Sequence, residues 1–130
     1  MPKKIQYHWE IDAYKLSVEA AMEIYELSKS FPKEERDCLT SQIRKYSRSV
    51  STQIAKGWRR RKYLAGFVDK MNQAEAEAAK TQARLGDCAT LKYLKKETST
   101  RLHNKYQQIK GKLQKMGNNP QQWVLKSKKR

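Results

Sequence analysis

Apolar residues recur along the chain at intervals of three and four residues, the spacing that places side chains on one face of an α-helix. The first such segment, from Glu10 to Phe31, is predicted to be a helix. This helix is predicted to end at Ser30, because Pro32 disfavours helical geometry in the residue before it. Its predicted core stripe consists of Ala13, Ser17, Ala20, Ile24, Leu27 and Phe31.

A second helix is predicted to start at Pro32, since proline suits the first helical turn, and to run to Lys56. Gly57 is the predicted C-cap, because glycine readily adopts the backbone geometry found after a helix. The predicted core stripe of this helix consists of Leu39, Ile43, Tyr46, Val50 and Ile54.

The remaining periodic segments predict two more helices and a connector. The third helix is predicted from Tyr63 to Leu85, ended by Gly86-Asp87, and the fourth ends at the glycine, asparagines and proline of 117–120. Leu91 and Leu94 are predicted to plug one end of the core between these helices. The two predicted core stripes are Phe67, Met71, Ala74, Ala78, Thr81 and Leu85, and Leu102, Tyr106, Ile109, Leu113 and Met116.

Four helices joined by short connectors predict an all-α fold, an antiparallel up-down-up-down four-helix bundle. A chain of 130 residues with five Gly and three Pro fits one helix-rich domain. The bundle is assigned to residues 1–120 and a basic C-terminal tail to 121–130, with Trp123, Val124 and Leu125 as an apolar anchor.

The third helix is rich in alanine, at positions 74, 76, 78 and 79. Small side chains allow helices to approach closely, either within one bundle or between two copies of the protein. Periodicity alone leaves both interpretations open.

Charge is distributed unevenly along the chain, whose net formal charge is +16. The 31 residues from Cys38 through Val68 carry eight Lys or Arg residues and no Asp or Glu. An ordinary solvated helix face would contain acids that pair with its bases at i,i+4 spacing. The lack of acids therefore favours a surface that binds a polyanion such as nucleic acid.

The candidate phosphate-binding residues fall into two groups. On a helical wheel, Arg44 and Arg48 lie within about 40° of each other on the side away from the core, next to Lys45 and Lys56. The other predicted contacts are Arg59, Arg60, Arg61 and Lys62 and, as secondary candidates, Lys110, Lys112, Lys115 and the terminal KSKKR.

Arginine binds phosphate bidentately, and aromatic rings stack on bases, so the sequence WRRRKY from Trp58 to Tyr63 fits the same function. Two alternatives remain open for Trp58 and Tyr63: they stack on bases, or they cap the end of the bundle. No element resembles a recognition helix or a zinc finger, so sequence-specific DNA reading is not expected.

Catalysis is not expected, because the chain lacks a phosphate-binding glycine loop and a His-Glu pair on one helix face. Neither His8 nor His103 has metal-ligand neighbours at suitable spacing, so no metal and no cofactor are predicted. Cys38 and Cys88 are expected to be reduced, packed thiols of a cytoplasmic protein. No apolar run is long enough to predict a membrane span.

The segment FPKEERDCLTSQIRKYSRSVSTQIAKG, from Phe31 to Gly57, resembles the small four-helix-bundle proteins encoded in intervening sequences of bacterial large-subunit rRNA genes. The likeness includes the proline turn, the run LTSQIR and the ending IAKG, and it spans nearly the whole chain.

Two later segments are similar to one branch of that family, the accessory variability proteins of diversity-generating retroelements: GWRRRKYLAGFVDKMNQAEAEAAKTQARLGDCATLKYL and MGNNPQQW. This resemblance implies a homopentameric barrel with a basic surface, and reverse transcriptase and template RNA or cDNA as partners. Lys56 and Lys80 stand where the common pattern has acidic residues, which raises the charge and leaves any role of those carboxylates in doubt.

The leading hypothesis from the sequence is a non-enzymatic accessory protein that supports mutagenic reverse transcription. The alternative hypothesis is a structural pentamer of the intervening-sequence type without a nucleic-acid role.

Overall fold

Four α-helices make up most of the computed structural model, which describes residues 5–124 and has no β-strand in that range. They are α1, Asp12–Ser28; α2, Leu39–Arg59; α3, Leu64–Thr90; and α4, Lys96–Asn118. Short 3₁₀ helices occur at His8–Glu10, Lys33–Glu35 and Pro120–Gln122. The prediction of an all-helical chain is confirmed.

The helices pack in a ring in chain order: α1 on α2, α2 on α3, α3 on α4, and α4 back on α1. α1 lies diagonally across the core from α3, and α2 lies diagonally across from α4. The connections are short, and the longest runs from residue 29 to 38. Short connections make successive helices antiparallel, so the C-terminal end of α2 lies beside the N-terminal end of α1.

The core contains nearly every residue that the periodicity predicts. Of the four predicted stripes, only Leu27 and Tyr46 are partly rather than fully buried. The largest fully buried side chains include Phe67 and Tyr106. One apolar cluster, contributed by all four helices, therefore holds the fold together.

The prediction that the second helix starts at Pro32 is wrong, because α2 begins at Leu39. Pro32 precedes only the 3₁₀ helix Lys33–Glu35, and the chain then leaves helical geometry at Cys38, where φ is −122° and ψ is −103°. Proline fixes the φ angle of one residue and cannot by itself sustain a helix through a polar, acidic turn.

Gly57 is not the C-cap of α2, because the helix continues to Arg59. It is buried, and a Cβ atom at this position would clash with Cε of Met71 on α3. The glycine therefore permits close approach of α2 and α3.

The third helix also extends beyond its predicted end, through Gly86 and Asp87 to Thr90. Two residues after this end, the chain turns away from the helix at Lys92, whose φ of 64° lies in the left-handed region. The amide of Lys92 donates to the carbonyl of Ala89, and the amide of Tyr93 donates to that of Cys88. This is a Schellman arrangement, with lysine where glycine is usual.

Of the two residues predicted to plug the core, Leu94 is buried and Leu91 is half exposed. Both cysteines were predicted to be packed, and Cys88 is buried, but Cys38 is exposed, so the prediction is wrong for Cys38. Trp123 and Val124 pack against the core, whereas Leu125 and the KSKKR segment lie outside the described residues.

The alanines of α3 divide between its two faces. Ala74 and Ala78 are fully buried in the core, so the intramolecular interpretation holds for them. Ala76 and Ala79 are exposed. They belong to an outward stripe of small residues, the α3 small-residue stripe, made up of Ala76, Ala79, Ala83 and Gly86.

Candidate nucleic-acid interface

The outward face of α2 forms a shallow polar groove of about 610 Å³. Five cations line this α2 groove: Arg36, Arg44, Lys45, Arg48 and Lys56. The other lining residues are Thr40, Ser41, Ser49, Thr52 and Gln53, so the lining contains no carboxylate. Four of the five predicted cations of α2, all but Arg59, therefore lie together. Arg36 lies beside them, and the sequence prediction missed it because acidic residues surround it in the chain.

Arg44 and Arg48 lie against Tyr25 of α1. The guanidinium carbons are 4.7 and 5.5 Å from the centroid of the Tyr25 ring, and Nζ of Lys29 is 5.0 Å from it. Nε of Arg44 also donates a hydrogen bond of 2.7 Å to Oγ of Ser28. Cation–π contacts and this hydrogen bond hold Arg44 in one orientation, which lowers the entropy lost when an anion binds.

The cations predicted on α2 and just after it have no ionic partner. Among the described residues, none of the eight from Arg44 to Lys62 has a carboxylate oxygen within 4.0 Å. Acids elsewhere do pair with bases, as in the Arg101–Glu23 and Lys105–Glu19 contacts between α4 and α1. The charge of the α2 surface is therefore not neutralised within the described part of the protomer.

Arg61 differs from its neighbours, because its side chain folds back on Trp58. The guanidinium carbon lies 3.4 Å from the Trp58 ring centroid, and Nε donates a 2.8 Å hydrogen bond to the Trp58 carbonyl. Partial burial lowers the pKa of Arg61. Arg59, Arg60 and Lys62, in contrast, are exposed to solvent.

The two aromatic residues of this segment have different environments. Trp58 is only 8% exposed and caps the bundle, as one of the two interpretations predicts. Tyr63 is 68% exposed, so its ring is accessible to a ligand.

The predicted lysines of α4 lie apart from the α2 groove, because α4 is diagonally opposite α2. Nζ of Lys110 donates a 3.1 Å hydrogen bond to Oε1 of Gln82 on α3. Lys112 and Lys115 line a separate cavity of about 680 Å³, which also contains Glu10 and Asp12. Four of the eleven predicted residues therefore line the acid-free α2 groove, and the predicted lysines of α4 lie elsewhere.

In the part of the chain that the structure describes, no helix has both the length and the apolar character needed to span a membrane.

Comparison with known proteins gives one family and one related fold. No curated protein matches the chain. A crystal structure of a protein of unknown function from the S23 ribosomal protein family of Bacteroides thetaiotaomicron is similar to it, with a TM-score of 0.74 and 23% sequence identity. The similarity covers 82% of this chain and 96% of the crystallised one, and at this identity it supports the fold alone.

A family model described as 23S rRNA-intervening sequence protein matches residues 10–115, which include all four helices except the last residues of α4. The chain belongs to the 23S rRNA-intervening sequence protein family.

Proposed function

We propose that this protein is a non-catalytic helical scaffold of the intervening-sequence type that binds the phosphate backbone of RNA along the α2 groove. The observation that carries the proposal is the lining of the groove, which contains five cations and no carboxylate residue. Among the described residues, only Arg36 of these five has an acid nearby, Asp37 at 3.9 Å. Such a concentration of like charge destabilises a protein unless a polyanion neutralises it.

The spacing of the cations suits an extended polyanion. Arg44 and Lys56 are twelve residues apart on one helix, which corresponds to about 18 Å. This length corresponds to several consecutive phosphates along one strand. The hydroxyl groups of the groove supply neutral donors between the charges, and these favour phosphate contacts without reading base sequence.

The family match favours the intervening-sequence type over the retroelement branch. The alternative drawn from the sequence for that type has no nucleic-acid role, so the proposal of RNA binding rests on the α2 groove and not on the family match. A reverse transcriptase partner, and template RNA or cDNA as the specific ligand, remain predictions from the resemblance. The neighbouring genes test them: a reverse transcriptase beside a pair of near-identical repeats supports the retroelement role, and an rRNA operon contradicts it.

Self-association is the second part of the proposal, and the α3 small-residue stripe is its candidate surface. Exposed alanine and glycine along one side of a long helix would allow a helix of another copy to approach closely. The resemblance predicts a homopentamer. Light scattering should give the mass of an oligomer for the native protein and a lower mass for Ala79→Glu; a monomeric native protein would contradict this part.

The RNA proposal is tested by reversing the charge of three exposed groove residues, in the variant Lys45→Glu, Arg48→Glu, Lys56→Glu. A matched control reverses three exposed lysines at the α3–α4 connection: Lys92, Lys95 and Lys96. Filter binding to a structured RNA over a salt series measures both affinity and the number of phosphates neutralised.

The groove variant should lose most of its affinity at moderate salt. The slope of log K against log salt should fall by about 0.7–0.9 for each contact removed, or roughly two to three in total. The control should retain most of its affinity. Equal losses in the two variants, or an affinity that does not depend on salt, would contradict the proposal.

A further inference from the structure

Two large aromatic residues form an exposed stack at the start of the described chain. The rings of Tyr7 and Trp9 are 4.5 Å apart between centroids and nearly parallel, with an interplanar angle of 3°. Trp9 is 53% exposed and Tyr7 is 45% exposed. Exposed tryptophan on this scale is uncommon unless the ring contacts a partner.

The stack is held in place by its neighbours. The His8 ring lies edge-on to Trp9, with centroids 5.1 Å apart, and edge-on to Tyr14 of α1, at 4.8 Å. One carboxylate oxygen of Glu10 accepts hydrogen bonds from the backbone amides of Gln6 and Tyr7, at 3.1 and 2.7 Å. The aromatic rings are therefore oriented before any ligand binds.

This aromatic stack lies at the end of the bundle where α2 ends. The 3₁₀ helix His8–Glu10 packs on both α1 and α2, and Glu10 and Arg61 line the same small surface cavity. Arg59 is the last residue of α2, and Arg60, Lys62 and the exposed ring of Tyr63 follow it in the α2–α3 connection. We call this end, with Trp9, Tyr7, Tyr63 and those three cations, the aromatic pole.

Two backbone hydrogen bonds hold the Glu10 carboxylate against Gln6 and Tyr7, so it keeps its negative charge but is fixed in position. The pole therefore combines accessible π-faces with cations that have no acidic partner among the described residues. This combination is what binds single strands: aromatic rings stack on unpaired bases while cations hold the backbone. Paired bases inside a duplex do not expose their faces to such rings.

We propose that the aromatic pole binds unpaired nucleotides, with one base stacked on Trp9 and another on Tyr63. The inference rests on the proposed RNA-binding function and adds a preference for single-stranded segments or ends over blunt duplex. The α2 groove holds phosphates of either form, and the pole selects the form whose bases are free.

The test compares Trp9→Ala and Tyr63→Ala with Trp9→Phe and Tyr63→Phe, which keep a π-face. Met22→Ala is the control, since Met22 is 56% exposed on α1 and lies outside the pole. The probes are a 12-nucleotide oligouridylate and a blunt duplex RNA of 12 base pairs. Light scattering of each variant measures its native mass.

Each alanine variant should bind the single strand about tenfold more weakly, equivalent to about 1.4 kcal/mol, and bind the duplex within about twofold of the native protein. The phenylalanine variants and Met22→Ala should bind almost as the native protein does. The salt dependence should not change, because no charge is removed.

Unchanged single-strand affinity, or equal losses on both probes, would overturn the inference. A lower native mass of Trp9→Ala would also overturn it, because the ring would then contact a second copy. If these results occur while charge reversal in the α2 groove still abolishes RNA binding, the proposed function stands. If groove reversal has no effect either, the proposed function fails as well.

A second measurement uses the unsubstituted protein and so does not depend on a variant that folds. A single-stranded RNA carrying 2-aminopurine should lose fluorescence when it binds, because stacking on an aromatic ring quenches this base. Unchanged fluorescence at saturation for every position of the label would overturn the inference.

Discussion

The hydroxyl group of Tyr106 offers a direct test of the packing of the core. Tyr106 lies on α4 with 0% of its surface exposed, and its hydroxyl has no hydrogen-bond partner among the described residues. An unpaired buried polar group costs about 1–3 kcal/mol, so Tyr106→Phe should raise the free energy of unfolding by about this amount. For a domain of this size, each kcal/mol raises the melting temperature by roughly 4 °C.

The gain should be larger at alkaline pH. Burial raises the pKa of Tyr106 above its ordinary value, so the folded protein holds the phenol in its neutral form. The unfolded chain releases that proton above pH of about 10, and the native protein then loses stability as the pH rises towards the higher folded pKa. Phenylalanine has no proton to release, so the difference between variant and native protein should widen.

Tyr93→Phe is the matched control, because the same atom is removed from a different environment. The Tyr93 hydroxyl donates a 2.9 Å hydrogen bond to Oε2 of Glu35, so its loss should destabilise the protein. Urea unfolding followed by circular dichroism measures both variants. If Tyr106→Phe is destabilising like Tyr93→Phe, the Tyr106 hydroxyl has a partner and the reasoning is wrong.

Further predictions concern the glycines and cysteines. Gly111→Ala should raise the free energy of unfolding by about 0.5–1 kcal/mol, since nothing lies near the added methyl group. Gly57→Ala should be less stable than Gly111→Ala by about 1 kcal/mol in urea unfolding, because the added Cβ would lie 3.1 Å from Cβ of Lys70 and would displace the end of the Met71 side chain. Equal stabilities would contradict the close approach of α2 and α3. A thiol reagent should modify Cys38 quickly at neutral pH, because Cys38 is exposed. It should modify Cys88 only on unfolding, because Cys88 is buried and burial raises its pKa to about 12. Rapid reaction of both thiols in the native protein would contradict this prediction. Because burial raises the pKa of Cys88, the neutral buried thiol contributes fully to stability below pH of about 8.5, and this contribution is lost as the pH approaches 12. A pH series that compares the free energy of unfolding of Cys88→Ala with that of the native protein would measure the loss.

Helix ends were predicted less well than helix faces, for a local reason. Glycine is common where helices end, yet Gly57 and Gly86 both lie inside helices. At Gly57 the favourable packing of α2 on α3 outweighs the lower helix propensity of glycine. The actual end of α3 is at a left-handed lysine, which composition does not indicate.

The candidate site was predicted in part. The lack of acids between Cys38 and Val68 identified four of the five cations of the α2 groove, all but Arg36. It could not indicate that Arg61 folds onto Trp58, or that Tyr25 of α1 contacts Arg44. Those contacts depend on how a side chain packs against its neighbours.

The sequence by itself determined the helical class, the core stripes and the acid-free segment, because each depends on residue type and on spacing along one helix. The tertiary structure decided which cations share a surface, because it places α2 and α4 diagonally across the core. It also brought the aromatic stack at Tyr7 and Trp9 to the end of α2, about fifty residues further along the chain. Contacts between distant segments follow from the packing of whole helices, and periodicity within one helix does not contain that information.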